Sequence, residues 1–377
     1  MLGDRPHPFL FVHIPKTGGT SLEEALMREV TGRASLAELD QDELTRFGLH
    51  GGRRSGPPGQ RGEVMSPVIQ HESVRYFERQ GLLAGREVVT VVRNPYERAL
   101  SELLYLIKID AKAREFFCGP SWADDLKRLA RFDGLLGHDL GASQIDWLTD
   151  KSGRMRADRV MYFERLEEEF EALCVDWGIT ATLPHSMSGG RRFPWWQYYD
   201  EEALELMGEK YARDFGAFDY PQGVPDEKNS PAGPTVVDLA HESGFGLHRR
   251  LEVPDGALSE IRADGVWEML DPATAARVAM ECRRTLKPSG VLKVVTPDLG
   301  AMAGLDERDE FVRNYLDQHV PEAPLYAPAM VVNHWMRSCA FVYDEALLVE
   351  TLAEGGFERI RKEEGFGWLV VEAERGA

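Results

Sequence analysis

One stretch near the N-terminus, Phe9-Leu-Phe-Val-His-Ile-Pro-Lys-Thr-Gly-Gly-Thr-Ser-Leu22, constrains the fold more than any other. The apolar run from Phe9 to Ile14 reads as a buried strand. Pro15 stops it, and Lys16, Thr17, Gly18, Gly19, Thr20 and Ser21 form a tight polar turn before Leu22 opens a helix. Strand, glycine turn and helix start in direct succession make an anion-binding geometry. Glycine lets the backbone come close, helix-start N–H groups point outward, and the helix dipole favours negative charge. Lys16 adds a full positive charge. The plain alternative is an ordinary glycine turn between a strand and a helix.

A second strand signal follows at Glu87-Val-Val-Thr-Val-Val-Arg93-Asn-Pro, where β-favouring residues lead to an arginine and a break. Helix is expected from Ala99 onward, carrying Ser101. Both motifs fall at strand ends, where open α/β sheets bind ligands. Arg93 suits bidentate recognition of a phosphate. Its alternative is a salt bridge to a nearby acid, with Ser101 on a solvated face. In a nucleotide triphosphatase loop, lysine follows the glycines and precedes Ser or Thr. Here Lys16 precedes Gly18 and Gly19, so that pattern fails.

The order Pro-Lys-Thr-Gly-Gly-Thr-Ser, followed by Arg93 and Ser101, resembles the sulfotransferases that use 3′-phosphoadenosine 5′-phosphosulfate (PAPS). The likeness is to their carbohydrate, heparan-sulfate-type branch and its bacterial members, over residues 8–222. It implies a P-loop-like parallel sheet and sulfuryl transfer from PAPS to a hydroxyl, most plausibly on a carbohydrate, without a metal. Lys16 to Ser21 would cradle the 5′-phosphosulfate, and Arg93 and Ser101 would hold the 3′-phosphate. His71 would be the general base, a role for which neutral imidazole is suited. His50 is the runner-up, and His13 in the strand reads as packing. The loop Ser188-Gly-Gly-Arg191-Arg192 sits where the family folds an arginine over the nucleotide, so either Arg191 or Arg192 would contact the donor. Trp195 and Trp196 could stack on adenine or a sugar, or simply pack.

The chain's 377 residues suit two domains. The Gly/Pro-rich stretch 223–234 reads as a linker between domains at 1–222 and 235–377. The second domain resembles the latter half of class I methyltransferases, a partial Rossmann-like α/β fold. Lys287-Pro-Ser-Gly290 leads into a buried strand there, and Gly367-Trp-Leu-Val-Val-Glu-Ala forms the last one. A glycine-rich cofactor turn with its following acidic residue is missing, Gly244-Phe-Gly246 being the sole candidate. S-adenosylmethionine is therefore an unlikely ligand on sequence grounds, and acceptor recognition or dimerisation the expected role. His334 could add a binding surface or pack.

A net charge of −19 argues against nucleic acid as a surface partner. No apolar run reaches the ~20 residues of a membrane span. No signal peptide is read at the N-terminus, so a cytoplasmic protein is expected. Cys118, Cys174, Cys282 and Cys339 form no Cys-x-x-Cys pair and are expected to be buried apolar residues, with neither zinc nor disulfides. The partner implied is a small molecule or glycan, with oligomeric state open. Three rivals remain: a nucleotide-dependent phosphotransferase, a non-catalytic nucleotide- or glycan-binding scaffold, and a bifunctional sulfotransferase/methyltransferase.

Overall fold

The computed structural model describes residues 9–31, 71–132, 142–184, 193–225, 235–239, 250–298, 341, 343–363 and 368–376. The chain divides into two compact units. The first comprises residues 1–191 with 199–227, the second 192–198 with 228–377.

In the first unit, β1 (Phe9–Val12), β2 (Glu87–Val92) and β3 (Arg159–Tyr162) form a parallel sheet in that order. Phe9 lies opposite Glu87, and Val89 opposite Arg159. Side chains alternate across the strands. Phe9, Phe11, Val89, Val91 and Met161 pack on one face against Leu22 and Leu26 of α1 (Gly19–Thr31) and Phe170 and Leu173 of α7 (Leu166–Trp177). Leu10, Val12, Val88 and Val92 pack on the other, against Val74 and Phe77 of α2 (Val74–Arg79) and Trp147 and Leu148 of α6 (Gln144–Leu148). A parallel sheet covered on both faces explains why β1 and β2 are continuously apolar rather than alternating.

Helix α3 (Pro95–Ile109) follows β2 directly, rather than starting at Ala99. The physical reason is the Asn94-Pro95 pair. The Asn94 side chain accepts from the Tyr96 N–H at 3.0 Å as an N-cap, and proline fits the first helical position, where its missing N–H costs nothing. Short helices α4 (Ala111–Phe116) and α5 (Trp122–Ala130) come next, and α8 (Glu201–Lys210) and α9 (Ala212–Ala217) complete the described part of this unit.

The second unit carries a five-stranded sheet ordered β4 (Val236–Asp238), β5 (Leu258–Asp264), β6 (Leu286–Pro297), β8 (Trp368–Glu374), β7 (Arg359–Glu363). β4, β5 and β6 run parallel, while β8 lies antiparallel between β6 and β7. Helices α10 (Pro272–Thr285) and α11 (Glu345–Glu354) pack together. The expected Lys287–Gly290 turn is absorbed into β6 as a register shift, with Ser289 at φ 61°. Both units are thus α/β with parallel strands.

Trp195 is buried, and its ring meets Trp196 edge-on at 5.7 Å. Cys174 and Cys282 are buried as expected, whereas Cys118 is exposed, because it follows the short helix α4 in a surface connection. Gly244, Gly246, His334 and Cys339 lie outside the described residues. Among the described residues no helix is long and apolar enough to cross a membrane.

Candidate anion-binding site

The turn between β1 and α1 is shaped by two residues with positive φ, Lys16 at 65° and Gly18 at 85°. Gly18 is required for space as well: a Cβ there would lie 2.9 Å from the Phe163 ring. Gly19 is more confined still, since its Cβ would fall 2.3 Å from His13 Cδ2. The glycines are therefore fixed by packing beneath the turn. The Thr17 hydroxyl donates to the Ile14 carbonyl at 2.9 Å and is fully buried, so it closes the turn from within. Thr20 and Ser21 are half-buried at the start of α1. Among the described residues, the N–H groups of Lys16 and Thr17 donate to no acceptor.

The Lys16 ammonium lies 4.0 Å above the Tyr105 ring of α3. Burial, and then the nearby Arg93 charge, push its pKa down to about 8. Arg93, at the end of β2, reaches the same turn. It donates to the Lys16 carbonyl at 3.2 Å and to Glu97 Oε1 at 2.8 Å, and covers the Phe163 ring at 3.9 Å. Ser101 is half-buried on α3, four residues from both Glu97 and Tyr105 and hence on their face of the helix.

His71 is brought close to the turn through His13. Its Nδ1 lies 3.2 Å from the His13 carbonyl, and the two rings meet edge-on at 4.6 Å. A carbonyl only accepts, so the proton of the neutral ring sits on Nδ1 and Nε2 is its basic nitrogen. His13 is buried, as a packing residue should be. Its Nδ1 also lies 3.1 Å from Glu23 of α1. The structure thus brings Lys16–Ser21, Arg93 and His71 together around one turn. Arg191, Arg192, the Ser188 loop and His50 lie outside the described residues.

Beneath the turn lies a layer of charge that the sequence alone does not reveal. Arg98 is fully buried. Its Nε donates to the Pro15 carbonyl at 3.1 Å, and a second guanidinium nitrogen donates to the Ala142 carbonyl at 3.1 Å. Glu102, one helical turn on, is fully buried 3.9 Å from Arg98, and burial pushes its carboxyl up to about 8. Burial also raises the Tyr211 phenol, with the Glu102 charge adding to it. Gln144 pairs with both backbone groups of Arg93, accepting from its N–H at 2.9 Å and donating to its carbonyl at 2.8 Å. Asp214 in turn accepts from the Gln144 and Ile145 N–H groups at 2.8 and 3.0 Å. The Arg98/Glu102 spacing is the available signal, but an i,i+4 pair reads equally well as a solvated helix face. Among the described residues no group of three or more His, Cys, Asp or Glu side chains could hold a metal ion.

A scan against protein-family models finds no match, and neither does a search of curated proteins. Solved structures do overlap part of the chain. The pyocyanin biosynthetic protein PhzM aligns over 33% of this chain and 32% of its own, at 19% identity and a TM-score of 0.23. A SAM-dependent methyltransferase from Thermotoga maritima, described as a possible histamine N-methyltransferase, aligns over 33% and 59%, at 15% identity and 0.22. PigF, solved with SAH, aligns over 33% and 32%, at 11% identity and 0.21. The chain spans less than two thirds of each of these proteins.

These findings correct several expectations. No sulfotransferase is among these structures, and the resemblance to PAPS-dependent sulfotransferases is not upheld. With it go the P-loop sulfotransferase assignment of the first domain, sulfuryl transfer to a carbohydrate, and PAPS as donor. The expectation that S-adenosylmethionine is an unlikely ligand is likewise not upheld. The physical reason is that a strand, glycine turn and helix start form a general oxyanion geometry. Motif order of this kind reports backbone shape and charge, and many chemistries share it.

Proposed function

We propose that the protein binds a small molecule carrying an oxyanion group, such as a phosphate, at the Lys16–Ser21 turn. The observation that carries this reading is that one turn supplies both the Lys16 side chain and two adjacent N–H groups, those of Lys16 and Thr17, that lack an acceptor among the described residues. The turn follows the carboxyl end of β1 in a parallel sheet, the usual ligand position in open α/β folds. In this reading Thr17, Gly18, Gly19, Thr20 and Ser21 shape the cradle. Arg93 and Ser101 add contacts from the α3 side, with Arg191 and Arg192 as further candidates. His71 is the proton acceptor of the site, supported by the tautomer that its bond to the His13 carbonyl favours. Residues 1–222 form the ligand-binding domain, separate from 235–377.

Thermal unfolding of the whole protein with added sodium pyrophosphate tests this reading. A dose-dependent rise in the transition temperature is expected for the wild type and no rise for Lys16→Ala. Equal shifts in both proteins contradict it.

A second reading concerns the other unit and holds that it binds S-adenosylmethionine. Its support is three parallel strands, β4, β5 and β6, whose carboxyl ends carry Asp238, Asp264 and, just after β6, Asp298. Titration with S-adenosylmethionine separates the two readings, since that cation should bind independently of Lys16.

A further inference from the structure

Two arginines hold consecutive carbonyls of the turn. Arg98 Nε donates to Pro15 O at 3.1 Å, and a terminal nitrogen of Arg93 donates to Lys16 O at 3.2 Å. In a trans peptide the carbonyl and the following N–H point in opposite directions, and no peptide among the described residues is cis. Fixing Pro15 O on the buried Arg98 guanidinium therefore turns the Lys16 N–H away from that guanidinium. Fixing Lys16 O on Arg93 sets the direction of the Thr17 N–H in the same way. Neither of these N–H groups donates to an acceptor among the described residues. The left-handed conformation of Lys16, φ 65°, is the kind of kink that makes successive N–H groups converge on an anion.

Arg98 has no access to a ligand itself. It is fully buried, its Nε and another nitrogen are committed to Pro15 O and Ala142 O, and Glu102 stands 3.9 Å away. We infer that Arg98 is a positioning residue of the anion site: it acts through the Pro15–Lys16 peptide and, with Arg93, aims the Lys16 and Thr17 N–H groups at the bound oxyanion. The inference rests on the oxyanion-binding reading and adds to it a residue that never touches the ligand. A purely structural arginine would support the fold without setting the direction of those two amides.

The test uses the full chain labelled with 15N-lysine and 15N-threonine and titrated with sodium pyrophosphate, alongside calorimetry on wild type, Lys16→Ala, Arg98→Lys and Arg98→Gln. In the wild type, the Lys16 and Thr17 amide protons should move downfield in step with binding. Arg98→Gln should lose at least about tenfold in affinity, equivalent to ~1.4 kcal/mol, together with the Lys16 amide shift. Arg98→Lys, which keeps one donor, should recover part of both. Wild-type amides that stay in place at saturation overturn the inference, as does a folded Arg98→Gln that binds as tightly as wild type. If Arg98→Gln does not fold, the wild-type shifts alone decide. Absence of calorimetric binding by the wild type, or binding unchanged in Lys16→Ala, instead overturns the underlying reading and this inference with it.

Discussion

Lys16 combines two properties that usually conflict. It is buried enough for its pKa to fall to about 8, yet it is a cation carried by the turn itself. Its charge, and the anion affinity that depends on it, should disappear as pH rises through about 8 instead of persisting to the usual 10.5. Sulfate, which does not titrate in this range, is the probe: its dissociation constant should increase steeply from pH 7 to 9 in the wild type and stay flat in Lys16→Ala. Glu102 behaves in the opposite sense. Its carboxyl is raised from 4.5 to about 8, so the folded protein binds more protons than the unfolded chain between those values, and stability falls as pH rises through them. Glu102→Gln should remove this slope, gaining on the wild type by up to about 1.4 kcal/mol per pH unit across the window. Urea unfolding at several pH values between 5 and 8 checks it. Lys16 is legible in the sequence because a lysine inside a glycine turn is conspicuous. Arg98 and Glu102 are not, because only the fold shows that α3 turns this face inward.

At the scale of the elements, the β1–α1 junction depends on close approach. Alanine at Gly19 would drive its Cβ into the His13 ring, so Gly19→Ala should cost about 1–3 kcal/mol by overpacking, visible as a lower urea midpoint. The β2–α3 junction depends on polar pairing. Gln144→Ala would strip the partners from both backbone groups of the buried Arg93 and should cost about 2–4 kcal/mol in the same experiment. Strands β1 and β2 are legible from their unbroken apolar runs, because a parallel sheet covered on both faces leaves no polar alternation to confuse with helix. The start of α3 at Pro95 carries its own signal, Asn followed by Pro, and this capping pair overrides the expected start at Ala99. The beginning of β6 is not legible. A Lys-Pro-Ser-Gly run spells a turn, and only pairing with β5 and β8, including the Ser289 N–H donating to the Arg375 carbonyl at 3.0 Å, draws it into a strand.

At the scale of the whole molecule, each unit has its own sheet and buried core. Calorimetry should therefore resolve two unfolding transitions, with pyrophosphate raising only that of the unit containing Lys16. The net charge of −19 opposes long polyanions, so the ligand should be a small anion drawn in by local charge, and binding should weaken only modestly with salt. Two α/β units are legible in composition and motif order. The identity of the ligand is not, because a strand, glycine turn and helix start bind oxyanions in many proteins of different function. The most direct measurement of the central claim is calorimetric titration of sodium pyrophosphate into the wild type and Lys16→Ala near neutral pH. Saturable binding by the wild type, weakened about tenfold or more in the variant as expected for loss of a charged hydrogen bond, is the predicted result. No binding by the wild type, or equal affinity in both proteins, would contradict it.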